Sequence, residues 1–137
     1  MSISDLDRTR MDQALALARQ ALWLTSPNPR VGCVIVNAQG QVIGQGHTQR
    51  AGGHHAEIMA LQDAAHQGHS VEGATAYVTL EPCAMCMGAM MHARLARVVF
   101  GAHDPKTGVC GSVLDLPSHE QLNHHTEVQG GVLSEAC

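Results

Sequence analysis

Aromatic residues are scarce: Trp23, Tyr77 and Phe100 are the only three in 137 positions. That excludes an interior built on aromatic rings, so the core must be aliphatic, drawn from Val, Ile, Leu, Ala and seven Met. Positive charge is also short. Eight Lys and Arg against twelve Asp and Glu leave a net charge of −4, which ten His can offset only at low pH. Such a balance carries no general footprint of polyanion binding and leaves room only for a local basic patch. No run approaches the roughly 18 apolar residues of a membrane span. No charged-then-apolar leader opens the chain. The expectation is a cytoplasmic protein with no membrane partner. Repeats, linkers and low-complexity tracts are also missing.

What is present is the composition of a globular protein, 45% hydrophobic and 15% charged. The length suits one domain, 1–137, around a single core. Five cysteines are an odd number, and a cytosol keeps unligated thiols reduced. Cys33 lies in an apolar run and reads as a small core residue, while Cys110 and Cys137 carry no assignment.

The chemistry concentrates in Thr79-Leu80-Glu81-Pro82-Cys83-Ala84-Met85-Cys86. An apolar run ending at Glu81-Pro82 predicts a strand that turns into a helix with Pro82 at its start, where a missing N–H costs nothing. Cys83 and Cys86 then share one face of the first turn, beside the unpaired N–H groups that favour thiolate over thiol. Two thiolates side by side are half of a zinc site. The other half is His55 in His55-Ala56-Glu57, where a glycine loop runs into a helical pattern. One imidazole and two thiolates leave a fourth position open, the mark of a catalytic zinc rather than a structural one. Glu57 is then free to carry protons. A histidine, one residue, a glutamate and a later Pro-Cys-x-x-Cys resemble the signature of zinc deaminases. A lone Cys-x-x-Cys would fit a redox pair or a structural half-site equally well, but Met and Ala flank it here and a His-x-Glu accompanies it.

In chain order, Leu6, Met11, Leu15, Ala18 and Leu22 predict a first helix, capped by Ser4 or Asp5 and ended by Ser26-Pro27-Asn28-Pro29. Residues 31–36 predict a buried strand, 37–40 a hairpin turn and 41–44 its returning partner. A glycine-rich loop from Gly44 to Gly53 is expected to deliver His55. The second helix should run from about His54 to Gln67 with Ile58, Leu61 and Ala65 inward. The third runs from Cys83 to about Arg94, its methionines serving core or interface. Strands follow at 75–80 and 97–101, with an edge strand at 126–128. A short helical turn at 111–116 and the start of a helix at 133–137 complete the reading. The pattern is an α/β sandwich with helices on both faces of the sheet.

The chain resembles two branches of the cytidine deaminase-like superfamily. Ser26-Pro27-Asn28-Pro29-Arg30-Val31-Gly32-Cys33, Gln49-Arg50-Ala51-Gly52-Gly53 and Gly73 through Pro82 resemble the deaminase domain of the bifunctional riboflavin-biosynthesis enzyme. Cys83 through Met90, Arg97 through Ala102, Asp104-Pro105-Lys106-Thr107-Gly108 and Gly130-Gly131-Val132-Leu133 resemble the tRNA-adenosine (wobble position) deaminases. Departures are visible from both. The riboflavin type separates its two cysteines by several residues. The tRNA type carries Asn where this chain has His47-Thr48, and closes on a basic helix that has no counterpart before Cys137, which predicts weaker RNA binding. The resemblance implies a three-layer α/β/α sandwich with a central mixed five-stranded sheet, Zn2+ as cofactor, and a homodimer paired through the third helix at Met87-Gly88-Ala89-Met90-Met91. It also implies hydrolytic deamination of a nucleobase, with zinc on His55, Cys83 and Cys86 and Glu57 as proton carrier.

For substrate contacts, Asn28 reads either as a ring-edge contact or as the cap of a loop between two prolines. His47 and Thr48 face the site or supply ordinary loop polarity. Asp104 and Lys106 belong to a substrate loop or to a solvated turn. The favoured reaction is adenosine-to-inosine deamination, with a tRNA anticodon loop, single-stranded nucleic acid or a small nucleoside or nucleotide as substrate. The competing readings are a riboflavin-type pyrimidine deaminase, a deaminase of a free base or single-stranded DNA, and a catalytically silent zinc-binding dimer module. Glu57 argues against the last, because a structural zinc site needs no extra carboxylate.

Overall fold

The computed structural model describes residues 4–20, 30–49, 54–105, 107–112, 115, 117 and 126–133. Among the described residues, three helices and five strands are ordered α1 (Asp5–Gln20), β1 (Gly32–Val36), β2 (Val42–His47), α2 (Ala56–His66), β3 (Thr75–Leu80), α3 (Ala84–His92), β4 (Arg97–Ala102) and β5 (Glu127–Gln129). The sheet runs β2-β1-β3-β4-β5. β1 is antiparallel to both neighbours, whereas β3, β4 and β5 are parallel. The mixed five-stranded sheet is therefore as expected. β2, β3 and β4 all point the same way, so the segments that follow them emerge at one end of the sheet. Those segments carry His55, Cys83 and the loop 103–112.

The alternation of β1 and β3 divides the core in two. Val34, Val36 and Tyr77 pack with Met11, Ala14 and Leu17 of α1 on one face. Cys33, Ile35, Ala76 and Val78 pack with α2 and α3 on the other. The result is three layers. Cys33 is fully buried, the core residue its apolar run implied.

α1 begins with a reciprocal cap: the Asp7 N–H donates to Ser4 Oγ at 3.0 Å, and the Ser4 N–H donates to Asp7 Oδ2 at 3.0 Å. The inward stripe differs from the expected one. Leu6 is 51% exposed, while Asp7 is buried. Asp7 accepts from the Tyr77 hydroxyl at 2.7 Å and from Arg97 Nη1 and Nη2 at 2.8 and 3.1 Å. This bidentate pair pins the helix across β3 and β4. The expected end of α1 at residues 26–29 lies outside the described residues.

The largest correction concerns the glycines. Gly44 to His47 is strand, not loop, and β2 extends three residues beyond the expected end at Gly44. An added Cβ on Gly44 would run into the Ala60 carbonyl, and one on Gly46 would lie 2.5 Å from the Ala56 carbonyl oxygen and 2.6 Å from the Ala60 nitrogen. The glycines are there to admit a helix. The inner face of α2 is accordingly Ala56, Glu57, Ala60 and Ala64, while Ala65 is exposed and Ile58 and Leu61 are half-buried. Small residues on both sides bring helix and strand unusually close. In α3, Met87, Met90 and Met91 enter the core and Met85 stays 57% exposed.

Candidate active site

His55 and Cys83 are the residues immediately before α2 and α3, both extended, with φ/ψ of −69°/160° and −80°/173°. Pro82 therefore lies outside the helix, buried just ahead of the cap rather than inside the first turn. Neither His55 nor Cys83 uses its side chain to cap its own helix. Both side chains point to a common centre instead. His55 Nδ1 lies 3.6 Å from Cys83 Sγ and 3.3 Å from Cys86 Sγ. The three donor atoms fall within 4.8 Å of one another, the only such group of three among the described residues.

The electrostatics match this donor set. A hydrogen bond from Cys86, opposed by burial and helped by His55, pulls the Cys83 thiol down to about 5. The same bond, with burial, pushes the Cys86 thiol upward. Glu57 is 4% exposed. Burial raises its carboxyl to about 7, with the Cys83 charge adding and His55 opposing. An imidazole, a ready thiolate and a second thiol within reach fit Zn2+, which takes nitrogen and sulfur donors tetrahedrally.

The sequence-assigned substrate residues fare unequally. Thr48 has committed its hydroxyl to the backbone: it accepts from the Val31 N–H at 2.9 Å and donates to the Val31 carbonyl at 3.2 Å. It closes the β1–β2 ladder. His47 is the last residue of β2, with Nδ1 3.1 Å from the Thr48 carbonyl. Asp104 holds the turn after β4, accepting from the Thr107 N–H at 3.3 Å and the Thr107 hydroxyl at 2.7 Å. Asn28 and Lys106 lie outside the described residues.

One residue was missed. Glu81, read only as the point where a strand stops, is 2% exposed and organises the loop after β4. Burial pushes its carboxyl up, but hydrogen bonds from the Ser112 hydroxyl and the Cys110, Asp104 and Ser112 N–H groups outweigh this and lower it. An acidic residue closing an otherwise apolar buried strand was the available signal.

Fold and donor set together define a class, the zinc-dependent deaminases. Residues 4–102 match the cytidine and deoxycytidylate deaminase zinc-binding region, and the chain belongs to that family. It is 42% identical to a tRNA-specific adenosine deaminase of Haemophilus influenzae, over 98% of this chain and 80% of that protein. Among solved structures, RibD of Acinetobacter baumannii superposes with a TM-score of 0.81 at 40% identity, covering 96% of this chain and only 36% of the larger one. A deaminase studied for A-to-I editing at the wobble position of transfer RNA gives 0.78 at 36% identity, covering 90% and 97%. Among the described residues no helix is long and apolar enough to cross a membrane.

Proposed function

We propose that this chain is a hydrolytic adenosine-to-inosine deaminase acting on RNA, with His55, Cys83 and Cys86 as zinc ligands and Glu57 as proton carrier. The observation that carries the chemistry is the buried Glu57 carboxyl beside a His-Cys-Cys cluster at the joined starts of α2 and α3. The substrate rests on kinship: the tRNA-acting relatives match over 80% and 97% of their own lengths, the riboflavin-type structure over 36%.

Zinc held there would supply a water acidified to near neutrality. Glu57, whose proton affinity burial has raised toward neutral pH, is the group that would take up that proton. It passes that proton to the ring nitrogen beside the amino-bearing carbon as the water oxygen adds to that carbon. It then takes the proton left on the new hydroxyl and gives it to the amine, which leaves as ammonia as the C=O bond forms. Two thiolates and a neutral imidazole offset the charge of the ion, so Glu57 is not drawn in as a ligand. Asp104 and Lys106 on the loop 103–112, with Asn28, are assigned to hold the substrate. His47 and Thr48 are assigned a supporting place at the same end of the sheet. A single domain over 1–137, cytoplasmic placement and a homodimer belong to this reading. The outer side of α3, with Met85 exposed and open space at Gly88, is the seam left for a second copy.

A second reading, the riboflavin-type pyrimidine deaminase, is favoured by the TM-score of 0.81 to RibD. Ammonia release by zinc-loaded protein decides between them. The panel holds an anticodon stem-loop, adenosine, cytidine, guanine, single-stranded DNA and the riboflavin pyrimidine intermediate, with Glu57→Ala as control. Release from the stem-loop alone, abolished in the variant, is expected. Release from the pyrimidine intermediate selects the second reading. Silence with one zinc bound per chain would leave a binding module.

A further inference from the structure

Glu81 follows β3 directly and precedes Pro82 and Cys83. Among the described residues, its carboxylate collects its donors from a single stretch of chain. Oε1 accepts from the Asp104 N–H at 3.1 Å, from His103 Nδ1 at 3.0 Å and from the Ser112 hydroxyl. Oε2 accepts from the Cys110 N–H at 2.8 Å and the Ser112 N–H at 3.2 Å. These donors sit at the two ends of the loop 103–112, so one side chain holds both ends.

The backbone around Glu81 repeats the arrangement. The Glu81 N–H donates to the Ala102 carbonyl at 2.8 Å, and the Pro82 carbonyl accepts from the Val109 N–H at 3.0 Å. Cys83 pairs with Gly108 as an isolated bridge. Gly108 leaves the room this needs: an added Cβ would lie 2.5 Å from Glu81 Oε2. A buried anion is a costly way merely to fill space, and an apolar side chain packs there at lower cost. What only a carboxylate supplies is two acceptor oxygens with no donor of its own, facing N–H groups that converge from both sides.

We propose that Glu81 is a positioning residue for substrate, fixing the loop that carries Asp104 in register with Cys83 so that the base-holding loop and the metal centre form one rigid unit. The inference rests on the reading of that loop as substrate-facing. Its specific content is that the residue joining loop to metal centre is Glu81, through contacts with neither substrate nor metal.

The test compares wild type with Glu81→Gln, Gly108→Ala and Ser112→Ala on whichever panel substrate the wild type deaminates. Gln must turn an amide N–H toward backbone donors. Gly108→Ala removes no hydrogen-bonding group and crowds both the carboxylate and the Asp104 carbonyl oxygen, which the new methyl carbon would meet at 2.7 Å. Both are expected to raise KM about tenfold, with kcat and zinc content held, and Ser112→Ala to do so more weakly. Amide exchange at Asp104, Cys110 and Ser112 should accelerate while β3 and β4 stay protected. Loss of zinc, a fall in kcat exceeding the rise in KM, or wild-type kinetics in Gly108→Ala would overturn the proposal. If Glu81→Gln does not fold, the two milder variants carry the comparison. A wild type inert on every substrate refutes the substrate reading instead, and the exchange rates then decide whether Glu81 sets the loop.

Discussion

Gly46→Ala tests whether the packing of α2 on β2 sets the geometry of the metal centre. The new methyl carbon would lie 2.5 Å from the Ala56 carbonyl oxygen, 2.6 Å from the Ala60 nitrogen and 2.7 Å from the Met59 Cβ. Ordinary contact begins at 3.4 Å, so the first turn of α2 has to retreat by about 0.9 Å. The obstructing atoms are backbone, which no rotamer change relieves. Ala56 lies between His55 and Glu57, so the retreat is delivered to the imidazole and the carboxyl themselves. A metal site tolerates only about 0.2 Å in its ligand distances, and misplacing catalytic groups by about 1 Å costs roughly 10²-fold in rate. The expected result is a loss of roughly that size in kcat/KM with weakened zinc affinity, and a stability loss of about 1–3 kcal/mol from overpacking. Gly88→Ala in α3 is the control for packing within one chain, because an added Cβ there meets nothing of the same chain within 4 Å. Its expected effect is a gain of about 0.5–1 kcal/mol from helix propensity. Steady-state kinetics, zinc titration and urea unfolding read all three quantities. A Gly46→Ala protein with wild-type kcat/KM and zinc affinity would refute the claim that these glycines place the helix.

Asp7→Asn should cost about 3–5 kcal/mol in urea unfolding, because it strands the guanidinium of Arg97, whose side chain is only 17% exposed. A loss under about 1 kcal/mol, the size of a surface pair, would count against that reading. The pH dependence follows from the same group and from Glu81. Burial pushes both carboxyls up, but their hydrogen-bond donors, led by Arg97 for Asp7 and Ser112 for Glu81, hold both below the usual carboxylate range. A depressed folded-state pKa stabilises above the unfolded value of about 4 and is lost as pH falls toward the folded one. Melting temperature should therefore drop below about pH 4, and Asp7→Asn should flatten that limb; equal slopes would exclude Asp7 as its source. Glu57→Gln should lower kcat about 10²–10⁴-fold with zinc still bound at wild-type stoichiometry, and an active variant would remove Glu57 from proton transfer. Chelation should abolish ammonia release and added zinc restore it, whereas activity surviving in the stripped protein would refute metal dependence.

Much of the site was legible because its parts are local. Pro82-Cys83-x-x-Cys86 and His55-x-Glu57 each sit within one turn at a helix start, where spacing alone determines which side chains share a face. Strands with continuous burial, such as Gly32–Val36, showed as plain apolar runs. The misreadings came where a residue's role depends on something far away in sequence. Gly44 and Gly46 look like loop residues because glycine usually is one, and only the docking of α2 shows that they make space. Thr48 holds Val31 with its hydroxyl, a contact that no local pattern shows. Asp7 and Glu81 find their partners at Arg97 and at residues 103–112.

The sequence by itself determined the order of elements, the donor types and the class of chemistry. These follow from periodicity, from the turn residues and from the spacing of cysteine, histidine and glutamate, whereas the mixed sheet was implied only by the resemblance to known deaminases. Tertiary structure alone decided how near α2 lies to β2, which face of that helix is buried, and that a carboxylate before the first cysteine holds the loop beyond β4. Those depend on contacts between segments tens of residues apart, and no local pattern in the chain encodes a distance across the fold.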